Sequence, residues 1–216
     1  MKINIYSIMW NAEEILPYWL YHYETFAHKI FIVDDHSTDL TAEIAKAHPL
    51  VEYIPYEYTG LNENEFNQTF YDLYNSNDSD WAIVADQDEF VINPNLKYKR
   101  GVLKTEGYTM VSDHLPTGGK QIYNELRMGF RTPTWDKPII FQPSADILFG
   151  DGRHTVNQPS IESDIKLLHY KYLSPGYYFD HNAEGYKRIA GMDDKQWNYR
   201  LNRGLTNFSK KLERII

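Results

Sequence analysis

The chain has 216 residues, enough for one sizeable α/β core. Its 22 Lys+Arg against 30 Asp+Glu leave a net charge of −8, the wrong sign for a protein that neutralises nucleic-acid phosphates. With no cysteine, disulfides, thiolate nucleophiles, zinc–thiolate sites and iron–sulfur ligation are all excluded. The 18 tyrosines, beside 10 Phe and 5 Trp, suit sugar-binding or interface surfaces, although core packing is the plainer account.

The N-terminal MKINIYSIMWN meets polar Asn4 and Ser7 before any apolar run develops, so a signal peptide is not expected. No stretch approaches the roughly 18 consecutive apolar residues of a membrane span. A cytoplasmic location follows as the expectation. Ile3, Ile5, Ile8 and Met9 read as a strand that stops at Trp10-Asn11. Ile15, Leu16, Trp19, Leu20, Tyr23 and Phe26 recur at helical spacing, with Pro17 near the helix start where it is tolerated. Ile30 to Val33 is a short apolar run typical of a strand covered on both faces. It runs into Asp34-Asp35-His36-Ser37-Thr38-Asp39, rich in helix-capping types, before a helix through Ile44 and Ala45. Val51 to Ile54 reads as a third strand and Phe66, Phe70, Leu73 and Tyr74 as the stripe of a third helix. Trp81 to Ala85 is a fourth buried strand, stopped by Asp86-Gln87-Asp88-Glu89.

This alternation over about ninety residues predicts a Rossmann-like, mostly parallel sheet flanked by helices. From Tyr108 onward, short apolar pieces between turns predict a mixed, partly antiparallel half that completes the same domain. At the C-terminus Trp197, Leu201, Leu205, Phe208, Leu212 and Ile215 recur every three or four residues among lysines and arginines. That spacing predicts an amphipathic helix over residues 193–216, a candidate for peripheral membrane contact or for a homodimer, and more simply a cover for the sheet.

Ligands in parallel sheets bind outside the carboxyl ends of the strands. Three of those ends carry polar clusters here. In VADQDEFVI, Asp86 and Asp88 stand two positions apart at the end of a buried strand, a donor pair suited to Mg²⁺ or Mn²⁺ held together with substrate phosphates. A solvated turn is the plainer account of an isolated D-x-D. Trp10 could stack on a nucleobase, and Asp35 could accept from an imide N–H such as that of uracil.

SIMWNAEEI, IFIVDDHSTDLT and WAIVADQDEFVI resemble, in order and spacing, the three signature segments of family 2 glycosyltransferases with the GT-A fold, in a small bacterial branch with a D-x-D-E-F strand end. The resemblance covers about residues 2 to 95. It implies that Trp10 and Asn11 flank the base, that Asp35 reads the uracil edge, and that Asp86 and Asp88 are the D-x-D pair, Asp88 the direct metal ligand. It further implies a distal histidine on the metal or diphosphate, for which His154 in GRHTV and His169 in LLHYKY are candidates, His154 preferred as the metal ligand with His169 then near the diphosphate. Lys171 and Lys137 are candidates for offsetting leaving-group charge. Ile8-Met9 stands where the commoner pattern has Pro-Thr, and His36 where Gly is usual, which leaves the base open. Family 2 enzymes generally invert with an Asp as base; Asp151 is the candidate here, with Asp146 and Glu125 as rivals.

The expected protein is a single GT-A-like domain: residues 1–95 nucleotide-binding, 96–192 on the acceptor side, 193–216 the amphipathic helix. The expected function is a metal-dependent (Mn²⁺ or Mg²⁺) hexosyltransferase. It would move a sugar, with inversion, from a UDP-linked donor to a saccharide or lipid-linked acceptor in surface polysaccharide synthesis, in the cytoplasm or at the inner face of the membrane. Two other readings stand beside it: a haloacid-dehalogenase-type phosphohydrolase, whose nucleophile motif is also a strand-end D-x-D, and a non-catalytic carbohydrate-binding relative of a transferase.

Overall fold

The computed structural model describes residues 1–57, 62–92, 94–118, 120–182, 184–185, 188 and 194–216. The four apolar runs of the first half are the four parallel strands of the sheet: β1 (Ile3–Met9), β2 (Lys29–Asp34), β3 (Val51–Pro55) and β4 (Trp81–Val84). Nearly every residue of β1, β2 and β4 is buried, as continuous apolar strands between two helical layers require. β3, at the edge, is only half-buried. Three helices make the crossovers: α1 (Leu16–Tyr23), α2 (Thr41–Ala47) and α3 (Glu63–Ser76). Pro17 sits in the first turn of α1, and the Asn62 side chain caps α3 by accepting from the backbone N–H groups of Asn64 and Glu65.

The parallel strands lie in the order β3-β2-β1-β4. The chain therefore leaves β1 in one direction to β2 and β3, and α3 carries it back to β4 on the other side. That reversal opens a crevice outside the carboxyl ends of β1 and β4, where an α/β sheet binds its ligand. The second half extends the sheet with antiparallel neighbours. After β5 (Glu89–Val91) come β6 (Val102–Val111), β7 (Met128–Arg131), β8 (Ile140–Phe141) and the long β9 (Ser160–Tyr172). β8 bridges β4 to β6, and β9 runs parallel to β6 and antiparallel to β5.

The C-terminal region corrects the single helix expected over 193–216. Helix α4 spans Asp194–Leu205, a 3₁₀ turn follows at Thr206–Ser209, and β10 (Glu213–Arg214) adds an edge strand to β7. Leu201, Leu205, Phe208 and Leu212 all pack on one cluster with Val111, Tyr172 and Tyr178. One apolar target is thus met by three kinds of backbone, and the spacing alone reads as one helix. The Trp197 side chain lies outside the described residues. No helix among the described residues is long and apolar enough to cross a membrane.

Helix α1 also fastens the segment that follows β4. The Trp19 indole N–H donates to the Asp86 carbonyl at 3.1 Å, the Tyr23 hydroxyl donates to the Glu89 carbonyl at 3.0 Å, and Tyr23 Oη accepts from the Val91 N–H at 3.1 Å. His22 completes the clamp through Nε2, 2.9 Å from the Val91 carbonyl. Burial pushes the His22 pKa down to about 4, so the ring is neutral in the folded protein. An unfolded His22 titrates near 6.5, so between pH 6.5 and 4 the unfolded chain binds the extra proton and its folded stability falls as pH falls. Urea unfolding across that window is expected to show a loss on the order of 3 kcal/mol from this residue. The H22Q variant should have a visibly flatter acid limb.

Candidate active site

The end of β4 is organised by charge. Lys137, 2% exposed, places its Nζ 2.6 Å from Glu89 Oε1 and 3.0 Å from Asp86 Oδ2. The other Asp86 oxygen is held by the Arg153 guanidinium, whose second nitrogen lies 3.6 Å from Glu63. The backbone N–H of Asp86 donates to Glu89 Oε2 at 3.0 Å, closing the turn on itself. Burial opposes ionisation of Asp86, but Arg153 and Lys137 outweigh it and hold the carboxyl well below the usual carboxylate range. The same attraction to Asp86 and Glu89 raises the Lys137 pKa against the effect of burial. Two residues singled out from sequence meet here: Lys137 is buried between two carboxylates, and Asp86 has both oxygens on cations.

Asp88 has a different partner. β5 pairs with β9 so that Glu89 faces His169, and the Tyr170 N–H donates to the Asp88 carbonyl at 2.7 Å. This register sets His169 Nε2 3.1 Å from Asp88 Oδ2. Burial opposes the Asp88 charge and His169 overcomes it, so the carboxyl stays below its ordinary range. The Trp135 ring packs edge-on against His169 at 4.4 Å and stacks on His154 at 5.6 Å. His169 Nδ1 is buried without a hydrogen-bond partner among the described residues.

The pair fits a divalent cation in two respects. A carboxylate oxygen and an imidazole nitrogen form a donor set that suits Mn²⁺ better than Mg²⁺. Adjacent ligands of an octahedral ion of this size lie about 3 Å apart, as these two atoms do. No group of three or more His, Asp or Glu side chains able to hold a metal occurs among the described residues. The remaining ligands would therefore be substrate oxygens and water. His154 is half-buried, stacks on the Trp135 ring and lines the groove beyond it, and burial and the nearby Lys137 charge lower its pKa.

The ends of β1 and β2 meet beside this pair. The Trp10 N–H donates to Gln87 Oε1 at 2.8 Å, and Gln87 Nε2 donates to His181 Nε2 at 2.7 Å. Burial lowers the His181 pKa, in keeping with its role as acceptor. Asn11, at φ +43°, ties the β1 end to the following loop: its N–H donates to Ser37 Oγ and its Oδ1 accepts from the Thr38 N–H. Asp34 is occupied by the Tyr53 hydroxyl at 2.7 Å. Asp35 is fully buried, and Arg188 donates to its Oδ2 at 2.7 Å while the guanidinium lies 4.5 Å over the Trp10 ring. A planar donor stacked on Trp10 and bonded to Asp35 makes the two contacts that the sequence assigns to a base.

Beyond Trp135 opens a groove of about 860 Å³. Lys171 lines it, close enough for its charge to help hold Asp88 ionised. The candidate base Asp151 is exposed at the head of the 3₁₀ turn Asp151–Arg153, and what that turn delivers to the site is Arg153, at φ +59°, and His154. Its rivals are engaged elsewhere: Asp146 accepts from the Tyr71 hydroxyl, and Glu125 accepts from the N–H groups of Thr117 and Gly118. Tyr177 and Tyr178 are largely buried, and Tyr178 forms part of the groove wall. Glu89, Gln87, Arg153, His181 and Arg188 were not singled out from sequence. Glu89 and Gln87 had a signal, standing within the D-x-D-E motif itself.

Against solved structures, the chain aligns with residues 1–349 of S. aureus TarS in complex with UDP at a TM-score of 0.50, with 14% identity, covering 98% of this chain and 73% of that one. The fold is that of the GT-A glycosyltransferases. The same TarS fragment in complex with UDP-GlcNAc aligns at 0.49, with 14% identity over 96% of this chain and 72% of the other. Mannosyl-3-phosphoglycerate synthase from Rubrobacter xylanophilus aligns at 0.40, with 15% identity over 50% of this chain and 40% of the other. No protein-family model matches the sequence, and no curated protein does.

Removing one member of a buried ion cluster leaves its partners uncompensated, at a cost of about 3–5 kcal/mol. Lys137→Met and Glu89→Leu should each destabilise the protein by that order in urea unfolding. The double variant should cost clearly less than the sum of the two singles; additive costs would show that the two groups do not act as a unit.

Proposed function

We propose that the chain is a metal-dependent glycosyltransferase that takes a sugar from a UDP-linked donor to a saccharide or lipid-linked acceptor, with inversion at the transferred carbon. The observation that carries the proposal is the Asp88–His169 pair, 3.1 Å apart at the crevice between the ends of β1 and β4, with Trp10 and Asp35 at the neighbouring strand ends. In this reading the ends of β2 and β1 carry the carboxylate and the aromatic ring for the base, and the segment after β4, with β9 beside it, carries the metal-type donor pair for the diphosphate.

In this reading Trp10 stacks on the base and Asp35 accepts from its edge once Arg188 has moved aside. Asp88 and His169 would hold Mn²⁺ or Mg²⁺, which when bound offsets the charge of the departing diphosphate. Lys171 adds a second positive charge near the same phosphates. The acceptor hydroxyl attacks the anomeric carbon as the bond from that carbon to the phosphate oxygen breaks. UDP leaves with the electron pair, and Asp151, on the loop that also brings His154 to the groove, takes the hydroxyl proton. A phosphohydrolase would need Asp86 as an accessible nucleophile. With both of its oxygens held by Arg153 and Lys137, it is poorly disposed for that role.

Thermal unfolding with UDP and Mn²⁺ tests the assignment. A ligand at a hundred times its Kd adds about 2.7 kcal/mol, roughly a 5–10 °C rise in Tm for a chain of this length. The rise is expected only when UDP and Mn²⁺ are both present, and Asp88→Ala or His169→Ala should abolish the metal-dependent part. No response to any nucleoside diphosphate, or an undiminished response in Asp88→Ala, would overturn the proposal.

A further inference from the structure

We infer that the groove beyond Trp135 is built for a polyhydroxylated acceptor that carries a negative charge, a phosphate or a carboxylate, close to the hydroxyl that reacts. The inference deepens the glycosyltransferase reading and rests on it for the word acceptor; the charge preference of the groove stands on its own observations.

The volume, about 860 Å³, falls within the roughly 300–1,000 Å³ of sites that enclose a small-molecule ligand. The lining is suited to a sugar: Trp135 supplies an aromatic face, and Asn207 and the exposed Thr134 supply hydrogen-bonding groups. The charge is one-sided. Lys104, Lys171 and Lys210 line the groove, against Asp136 as its acid. Asp136 is already satisfied by a two-point contact with Arg131, at 2.6 and 2.7 Å, and by the Gly107 N–H at 2.7 Å. In a protein of net charge −8, this groove carries a local surplus of positive charge.

The three lysines are not the solvated face of one element. Lys104 comes from β6, Lys171 from β9 and Lys210 from the segment after α4. A register shift between β6 and β9 pairs Thr109 with His169 but Val111 with Tyr172, inserting one extra residue in β9. Such a bulge re-aims side chains, and both Lys171 and Tyr172 line the groove. Lys210 is held with its Nζ 4.4 Å over the Phe130 ring. The Lys104 contact to Glu162, at 3.1 Å, involves a carboxylate that is 75% exposed, a weak tie that an anion in the groove can outcompete. The groove begins one ring away from the reacting centre, because Trp135 lines it and packs on His169.

Binding of glucose, glucose 6-phosphate and glucuronate to the full chain, followed by saturation-transfer NMR without donor, tests the inference. At least one charged sugar should bind ten times tighter than glucose, with the advantage shrinking as salt rises from 50 to 500 mM, and the ranking of phosphate against carboxylate identifies the source of the charge. Lys104→Glu/Lys210→Glu should abolish the advantage, and Lys104→Arg/Lys210→Arg should keep it, which separates charge from folding. Equal binding of glucose and both charged sugars, no binding of any, or an advantage that survives charge reversal would overturn it. UDP with Mn²⁺, titrated into the same wild-type samples, reports on the donor site alone. Its failure would remove the transferase reading while leaving the groove result intact.

Discussion

Everything in the site depends on a four-membered charge cluster at the end of β4. Asp86 and Glu89 supply two negative charges, Lys137 and Arg153 two positive ones, and the backbone of the turn is stitched into the same network through the Asp86 N–H. Ionised groups in a weakly polar interior are tolerable only as such a balanced set. Removing any member leaves a charge without its counterweight beside the sheet. The cluster is therefore what lets an acidic turn sit at the open end of a buried strand instead of fraying into solvent.

The two aspartates of the D-x-D segment divide the work because their partners differ. Asp86 is bound to cations that arrive from β8's approach and from the 3₁₀ turn before β9, and it holds the turn's shape. Asp88 is matched by the β5–β9 ladder to an imidazole, a partner that also ligates metals. Helix α1 holds the backbone between them from the other side through Trp19, His22 and Tyr23. A helix that in sequence reads as plain aromatic packing is thus a clamp on the segment after β4, with each ring burying its body and turning its polar tip to the 86–91 backbone.

Local patterning made the first half legible. Ile30 to Val33 and Trp81 to Ala85 are apolar without interruption because both faces are covered, and the acids after them mark where the strands emerge. Long-range contacts were not legible. Arg153 reaches Asp86 across 67 residues and Arg188 reaches Asp35 across 153, and nothing in either local sequence distinguishes these arginines from solvated ones. The C-terminal segment misled for a related reason. Leu201 and Leu212 share one apolar target, so their helical spacing persisted after the backbone had left the helix. The surroundings of Lys137 were not legible either, because a lysine in a Pro-flanked turn gives no sign that two carboxylates wait inside the fold.

We propose that Asp88 and His169, rather than Asp86, hold the cation, while Asp86 serves the cluster beside them. Anomalous diffraction from a crystal of the protein grown with UDP and Mn²⁺ tests this most directly. The account predicts a manganese peak bonded to Asp88 and His169, with Asp86 still on Arg153 and Lys137 and the Arg188 guanidinium displaced from Asp35. A peak ligated by Asp86 with its ion pairs broken, or UDP bound with no manganese at Asp88, would contradict it.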